Sequence, residues 1–356
     1  MKVSVKVNSM WKKSQLIKLL CVLVVLSFPV AGTSQQKTNT PEAKGKITGS
    51  GPAVLWRSPE DIASRNLFYG SGGKQDEPHP AFTFLNEDLD GTSPKFNVRD
   101  QNEVKWKVKL GPEARPETVA SRFLWAVGYF ADENYFLSNM RIEDMPRRLK
   151  RGQDLVEPGG LVQNVRLERE PKGKKIEAWK WRHNPFTDTR ELNGLRIMMA
   201  LINNWDLKNQ NTAVHMGSDG TESEGSQQTY RISDLGASFG AAGRGRWWRG
   251  KMSSGNLEVY SQTKFISKIR PEYVDFMTPT QPVLPCVMRL PFFGRLCLGW
   301  IGNHIPRADA KWMGQLLAQL SPDQIRDAFR AGGYSPQKVD GFAKVIESRI
   351  AELNKL

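Results

Sequence analysis

The sequence predicts an α+β protein, in which a small antiparallel sheet with one helix precedes a larger, mainly helical part. Three stretches predict it. Asn102–Leu110 alternates, with Val104, Trp106, Val108 and Leu110 on one face and Lys105, Lys107 and Lys109 on the other, the period-two pattern of a half-buried strand. Residues 190–202 carry Leu192, Leu195, Ile197, Met198, Met199, Leu201 and Ile202 almost all round, as a buried helix does. Towards the C-terminus, Ser321-Pro322 and Ser335-Pro336 are two helix starts. Apolar stripes follow them, Ile325, Ala328 and Phe329, then Val339, Phe342, Val345, Ile346 and Ile350.

Taken in chain order, residues 1–32 hold five lysines, no acid and the apolar run Leu19–Ala31, closing on Val30-Ala31-Gly32. That is the pattern of a secretory signal. The run contains Ser27 and Pro29 and is too short to span a bilayer comfortably. Its removal would take five of the +14 net charges and leave a basic chain, exported to the periplasm or the medium. Residues 33–80 are rich in Gln, Thr, Gly, Pro and Ser and read as an exposed extension around one short helix, Pro59–Asn66. Within it, Gly70-Ser71-Gly72-Gly73-Lys74 suggests a P-loop. Phe68 at the first glycine position and Gln75 at the Ser/Thr position argue against that, and a flexible loop is expected instead. Cys286 and Cys297 would remain after export, either as a disulfide or as two buried thiols. There is no Cys-x-x-Cys and no His-Glu-x-x-His to support thiolate or zinc chemistry.

The chemistry-bearing residues come in a fixed order. A small-residue turn, Gly91-Thr92-Ser93-Pro94-Lys95-Phe96, exposes backbone N–H groups that can cradle phosphate. The strand 102–110 follows and offers Lys109, or second Lys107, to α- and β-phosphates. After the breaker Gly111-Pro112, a helix is expected from about Pro116 to Val127. Glu117 in its first turn can reach back to the strand lysine. A cap at Thr187, Asp188 or Thr189 starts the helix near Arg190. That helix delivers its end to Asp206-x-Lys208-x-x-Asn211. A strand at 212–214, an exposed Gly/Ser/Glu-rich tip at 217–228 and a strand at 230–232 lead to Asp234-Leu235-Gly236. Phosphoryl transfer from ATP needs a carboxylate to orient the attacking hydroxyl, a cation on the moving group, and oxygen ligands for magnesium. Asp206 and Lys208 fit the first two roles, and Asn211 and Asp234 the metal. Trp179 and Trp181 are expected as packed side chains, with the adenine side of the site as the alternative.

This order resembles the protein-kinase-like superfamily over about residues 85–240. The turn at Gly91–Phe96 is closer to that of HipA-like and phosphatidylinositol-kinase-like bacterial branches. The resemblance implies a two-lobed fold, with an N-lobe over 81–180 and a C-lobe over 181–356, and ATP·Mg²⁺-dependent transfer to a hydroxyl. The chain departs from the ordinary pattern at four points. It lacks Gly-x-Gly-x-x-Gly, carries Asn204-Trp205 where His-Arg usually stands, has Leu235 in place of Phe, and has no Ala-Pro-Glu after Asp234-Leu235-Gly236. Protein, sugar and lipid headgroup all stay open as acceptor. Two other readings share the scaffold: a catalytically silent nucleotide-binding module of the envelope, and a nucleotidyl transferase. The run Arg244, Arg246, Trp247, Trp248, Arg249 and Lys251 reads as a solvated loop or as a site for an anionic partner. The leader sequence argues against nucleic acid.

Overall fold

Strand β1 (Ala53–Val54) is the first element of the described residues, and six strands build the main sheet: β2 (Phe82–Asp88), β3 (Lys95–Asp100), β4 (Lys105–Lys109), β5 (Asn134–Glu143), β6 (Val156–Glu157) and β7 (Leu161–Arg169). The sheet order is β4-β3-β2-β5-β7-β6, and β4 also pairs with β7. Five strands therefore close into a ring. The pairings are antiparallel except a short parallel contact of β2 with β5 at Phe82 and Thr83. The alternation read in the sequence holds over β4: Trp106 and Val108 are buried inside the ring with Val98, Val162, Val165 and Leu167. The strand starts later than expected. Asp100 Oδ1 accepts from Asn102 N and Val104 N, turning the chain first, and Oδ2 accepts from Trp106 Nε1.

This computed structural model describes residues 51–91, 93–171, 173–217, 226–241, 253–277 and 299–356, all within one unit, Gly49–Leu356. The expected leader, Thr92, the tip within 217–228, the cationic run 244–251 and both Cys286 and Cys297 lie outside them.

Helix α1 (Ala114–Ala126) starts two residues ahead of Pro116 and is buried almost all round. Its Val119, Phe123 and Leu124 belong to a second, larger hydrophobic cluster, not to the interior of the ring. That cluster is built mainly by helices: α2 (Arg190–Leu201), α3 (Leu257–Ser261), α4 (Arg307–Leu317), α5 (Pro322–Ala331) and α6 (Pro336–Asn354). Thr189 caps α2 by accepting from Leu192 N. Ser321 and Gln324 form a capping box on α5, which satisfies two otherwise unpaired N–H groups. Met198 and Met199 are fully buried packing. At the end of α2, the carbonyls of Ala200 and Leu201 accept from the buried Arg349 of α6, and Leu201 O also accepts from Tyr260 Oη. A cation on the last carbonyls of a helix stabilises that end. Here it fixes the point from which the next loop departs.

A second sheet, in the order β1-β10-β9-β8, contains β8 (Lys174–Glu177), β9 (Thr212–Met216) and β10 (Gln228–Ile232). A third comprises β11 (Ile266–Ile269), β12 (Tyr273–Phe276) and β13 (Ile305–Pro306). Trp179 and Trp181 pack on one another at 5.0 Å within the larger cluster. From Trp179 onwards every clustered apolar residue belongs to the larger cluster.

The segment 51–80 differs from the exposed extension expected of it. No helix forms over 59–66. Leu55, Ile62 and Leu67 are buried in the larger cluster, and β1 pairs in parallel with β10. Gln324 Nε2 of α5 donates to the carbonyls of Ile62 and Arg65. The Gly70–Lys74 stretch folds as 3₁₀ turns against the Arg122 guanidinium and Tyr135. Three apolar side chains in a polar stretch are enough to pin it, because each can lose its whole surface to the core.

Candidate functional site

Lys109, the last residue of β4, is only 3 % exposed. Its Nζ lies 2.9 Å from Glu117 Oε2, 2.8 Å from Glu113 Oε2 and 2.7 Å from Asp234 Oδ1. Burial disfavours the ammonium, but Glu117, Asp234 and Glu113 outweigh it and raise Lys109 above its ordinary value. Burial likewise works against the Asp234 carboxylate, but Lys109 beside it, with Lys208 and Arg166 further off, holds that carboxyl below the usual range. Glu117 is held from its other side by Arg166 Nε at 3.3 Å, and Arg166 also pairs with Glu168. A buried network of paired charges is rigid, although Arg166 Nε makes no hydrogen bond among the described residues. Lys107 lies apart from it. Its Nζ is 3.3 Å from Asp88 Oδ2, which also faces Lys95 Nζ at 3.6 Å.

The loop after α2 is built on its own backbone. Asn203 adopts a left-handed conformation, and Asn204 N donates to Met199 O. Asn204 Oδ1 then accepts from Asp206 N at 2.8 Å. Asp206 is buried at 8 % exposure, and its Oδ2 lies 3.0 Å from Lys208 Nζ. Asn211 Nδ2 donates to Asp206 O at 2.8 Å, and Ser233 N donates to Asn211 O at 3.0 Å. The second bond ties the start of β9 to the end of β10, so Asn211 and Asp234 are held together by the hairpin between them. With its amide nitrogen on Asp206 O, Asn211 has its side-chain oxygen as the atom that could ligate a metal. Asp234 has a left-handed φ of 51°, which Asp tolerates better than most residues. Gly236 is required sterically: a Cβ there would stand 2.6 Å from Glu113 Cβ. The glycine lets this turn touch the start of α1.

In the small-residue turn, Gly91 has φ +68°, and Ser93 Oγ donates to Glu113 Oε2 at 3.2 Å. Arg151 anchors the turn from outside through the carbonyls of Gly91 and Asp88. Gly91, Ser93, Lys95, Lys107, Lys109, Glu117, Asp206, Lys208, Asn211 and Asp234 all line one cleft of about 1350 Å³. Of the residues singled out in the sequence for this chemistry, only Thr92 falls outside the described ones.

Four residues of the cleft escaped sequence reasoning. Glu113 stands four residues beyond Lys109, but Gly111-Pro112 hid that geometry, because i,i+4 spacing means proximity only within a helix. Arg166 stands between Val165 and Leu167, but β7 also carries Gln163, Asn164, Glu168 and Arg169, so nothing in the sequence set it apart. Asp132 and His215 gave no signal either. Burial and the neighbouring Glu168 push the Asp132 carboxyl up to about 7 against the pull of Arg231 and Arg166. Burial and Arg231 lower His215 to about 4. Among the described residues there is no cluster of three or more His, Cys, Asp or Glu able to hold a metal. A magnesium held by Asn211 and Asp234 would rely on phosphate and water for its other positions. Among the described residues, no helix is long and apolar enough to cross a membrane.

No protein-family profile matches the chain, and no curated protein matches it. Among solved structures it is similar to the crystal structure of a Helicobacter pylori proinflammatory kinase, CtkA, at 10 % identity over 77 % of this chain and 95 % of that one, with a TM-score of 0.38. A likeness that distant carries no argument. What the chain can do has to be argued from its own mixed α+β fold and from the cleft.

Proposed function

We propose that the chain is an ATP·Mg²⁺-dependent phosphotransferase, of protein-kinase-like architecture, that acts on a hydroxyl. One observation carries the reading. Glu117, from the helix that follows β4, and Asp234, 125 residues beyond Lys109, both meet Lys109 within hydrogen-bonding distance in the cleft that also holds Asp206, Lys208 and Asn211. Lys109 binds the phosphates nearer the base, kept charged and aimed by Glu117. Asp206 orients the acceptor hydroxyl and takes its proton. Lys208, 3.0 Å from that carboxylate, balances charge on the group in transit. Asn211 and Asp234 supply the oxygen ligands for magnesium, which neutralises phosphate charge when bound. Gly91, Ser93 and Lys95 close over the phosphates. Export belongs to this proposal and rests on residues 1–32 alone.

The test is transfer of γ-labelled phosphate from Mg·ATP by the full chain, to itself or to an envelope extract. Wild type should incorporate label, and Asp206→Ala should lower the rate by about 10²–10⁴-fold, the usual worth of a positioned general base. Label that survives the substitution removes Asp206 from its role. Incorporation from α-labelled ATP instead would point to nucleotidyl transfer.

A further inference from the structure

One oxygen of Glu113 joins two parts of the cleft. Its Oε2 lies 2.8 Å from Lys109 Nζ and accepts from Ser93 Oγ at 3.2 Å. Lys109 and the turn that carries Ser93 are the two features offered to the phosphates. The backbone fixes this acid in place. Glu113 is the N-cap residue of α1, and its carbonyl accepts from Glu117 N at 3.1 Å. The two acids therefore stand one helical turn apart on one face, and both reach Lys109. On its other side Glu113 closes against Gly236, where an added Cβ would stand 2.6 Å from Glu113 Cβ. A single side chain thus meets the phosphate turn, the strand lysine and the turn that carries Asp234.

An ammonium has three N–H groups, and three carboxylates take them here. A phosphate that binds Lys109 needs one of the three to give way. Glu117 is the least free, its side chain 3 % exposed with Arg166 beyond it. Asp234 is the most exposed, at 43 %, and is the acid assigned to magnesium above. Glu113 lies between them at 26 %, but it also holds Ser93. Arg151 grips the same turn from outside through the carbonyls of Asp88 and Gly91, so the turn is held from two sides. Asp234 is therefore the acid that yields, and Glu113 stays with the lysine.

Resting on the nucleotide reading of this cleft, we propose that Glu113 is a positioning residue for the phosphates: it ties Ser93 to Lys109 and so sets the gap between the turn and the lysine that grip one triphosphate together. The test is calorimetric titration of the full chain with Mg·ATP, with the melting temperature of each unliganded variant measured beside it. Ser93→Ala keeps all three partners of Lys109 and should weaken Mg·ATP about tenfold, one hydrogen bond's worth. Glu113→Ala should weaken it at least as much. In that background Ser93→Ala should add less than about twofold, because residues in contact do not act additively. Glu113→Gln, whose amide oxygen can still accept from Ser93, should bind more tightly than Glu113→Ala. Losses that simply add overturn the proposal, since Ser93 would then act without Glu113. Unchanged affinity in Glu113→Ala with a lower melting temperature makes Glu113 a packing residue, and tighter binding makes it a competitor of the phosphates. Either result overturns the proposal and leaves the nucleotide reading standing, as does unchanged affinity in Ser93→Ala. That last variant still decides should Glu113→Ala fail to fold. Failure of wild type to bind Mg·ATP overturns both.

Discussion

Lys109 meets three carboxylates within 2.9 Å. In the same cleft, Asp132 has Arg231 no nearer than 3.6 Å, and Nδ1 of His215 has no partner among the described residues. The two regions are built on different principles. At the Lys109 end each charge is balanced by another part of the chain, so the geometry exists before any ligand arrives, and electrostatics fixed in advance cost no reorganisation during reaction. At the His215 end, polar atoms are buried with incomplete partners. There the fold tolerates the cost of burying them.

Four substitutions sharpen or break that contrast. The largest effect is expected at Lys109→Met, which strands Glu113, Glu117 and Asp234 around an apolar side chain. Removing one member of a buried ionic cluster costs about 3–5 kcal/mol, measurable by urea unfolding. A loss within about 0.5 kcal/mol, the range of ordinary surface changes, would mean that this end is not held by its charges. Next comes Gly236→Ala. Its Cβ would meet Glu113 Cβ at 2.6 Å, so α1 or the turn must shift, at about 1–3 kcal/mol. Nucleotide stabilisation should weaken with it, because Glu113 and Asp234 are both displaced, and a variant that binds Mg·ATP as wild type does would show the contact to be dispensable.

The smallest effect belongs to the other end and is read against pH. Asp132 sits near 7 in the fold and near 4 once unfolded. It holds its proton more firmly in the native state, so the stability it contributes is present below about pH 4 and is lost as pH rises through 7. His215, lowered to about 4, runs the opposite way: its contribution is present above about 6.5 and is lost as pH falls through 4. Asp132→Asn should therefore gain melting temperature relative to wild type between pH 5 and pH 8, and His215→Gln should gain on wild type as pH drops from 7 to 4.5. Differences independent of pH would place both groups in ordinary, well-solvated surroundings.

The Lys109 end was legible in the sequence because its residues sit at offsets set by local structure. Lys109 closes an alternating strand, Glu117 lies in the first turn of the following helix, and Asp206, Lys208 and Asn211 share one short loop. The His215 end was not legible, since β9 reads as an apolar strand and nothing in Thr212–Met216 marks one side chain as unpaired. Depth of burial is a tertiary property, and Lys109 shows it too. Alternation placed it correctly on the face with Lys105 and Lys107, yet that face goes from wet to dry within five residues. The segment 51–80 was misread for a related reason. Its composition is that of a linker, and what holds it lies far along the chain: the larger cluster that buries Leu55, Ile62 and Leu67, and Gln324, about 260 residues on, which donates to the carbonyls of Ile62 and Arg65.

The closed ring of β4, β3, β2, β5 and β7 bears on how an acceptor can be presented. A peptide docking by strand addition needs an open edge with unpaired backbone groups; β3 and β4 are paired along both sides, whereas β2 meets β5 only at Phe82 and Thr83, and β8, which borders the cleft, is the outer strand of the second sheet. Under the proposed function, a peptide acceptor would have β8 as the strand nearest the cleft to add to, whereas a compact headgroup or sugar would need no backbone docking at all.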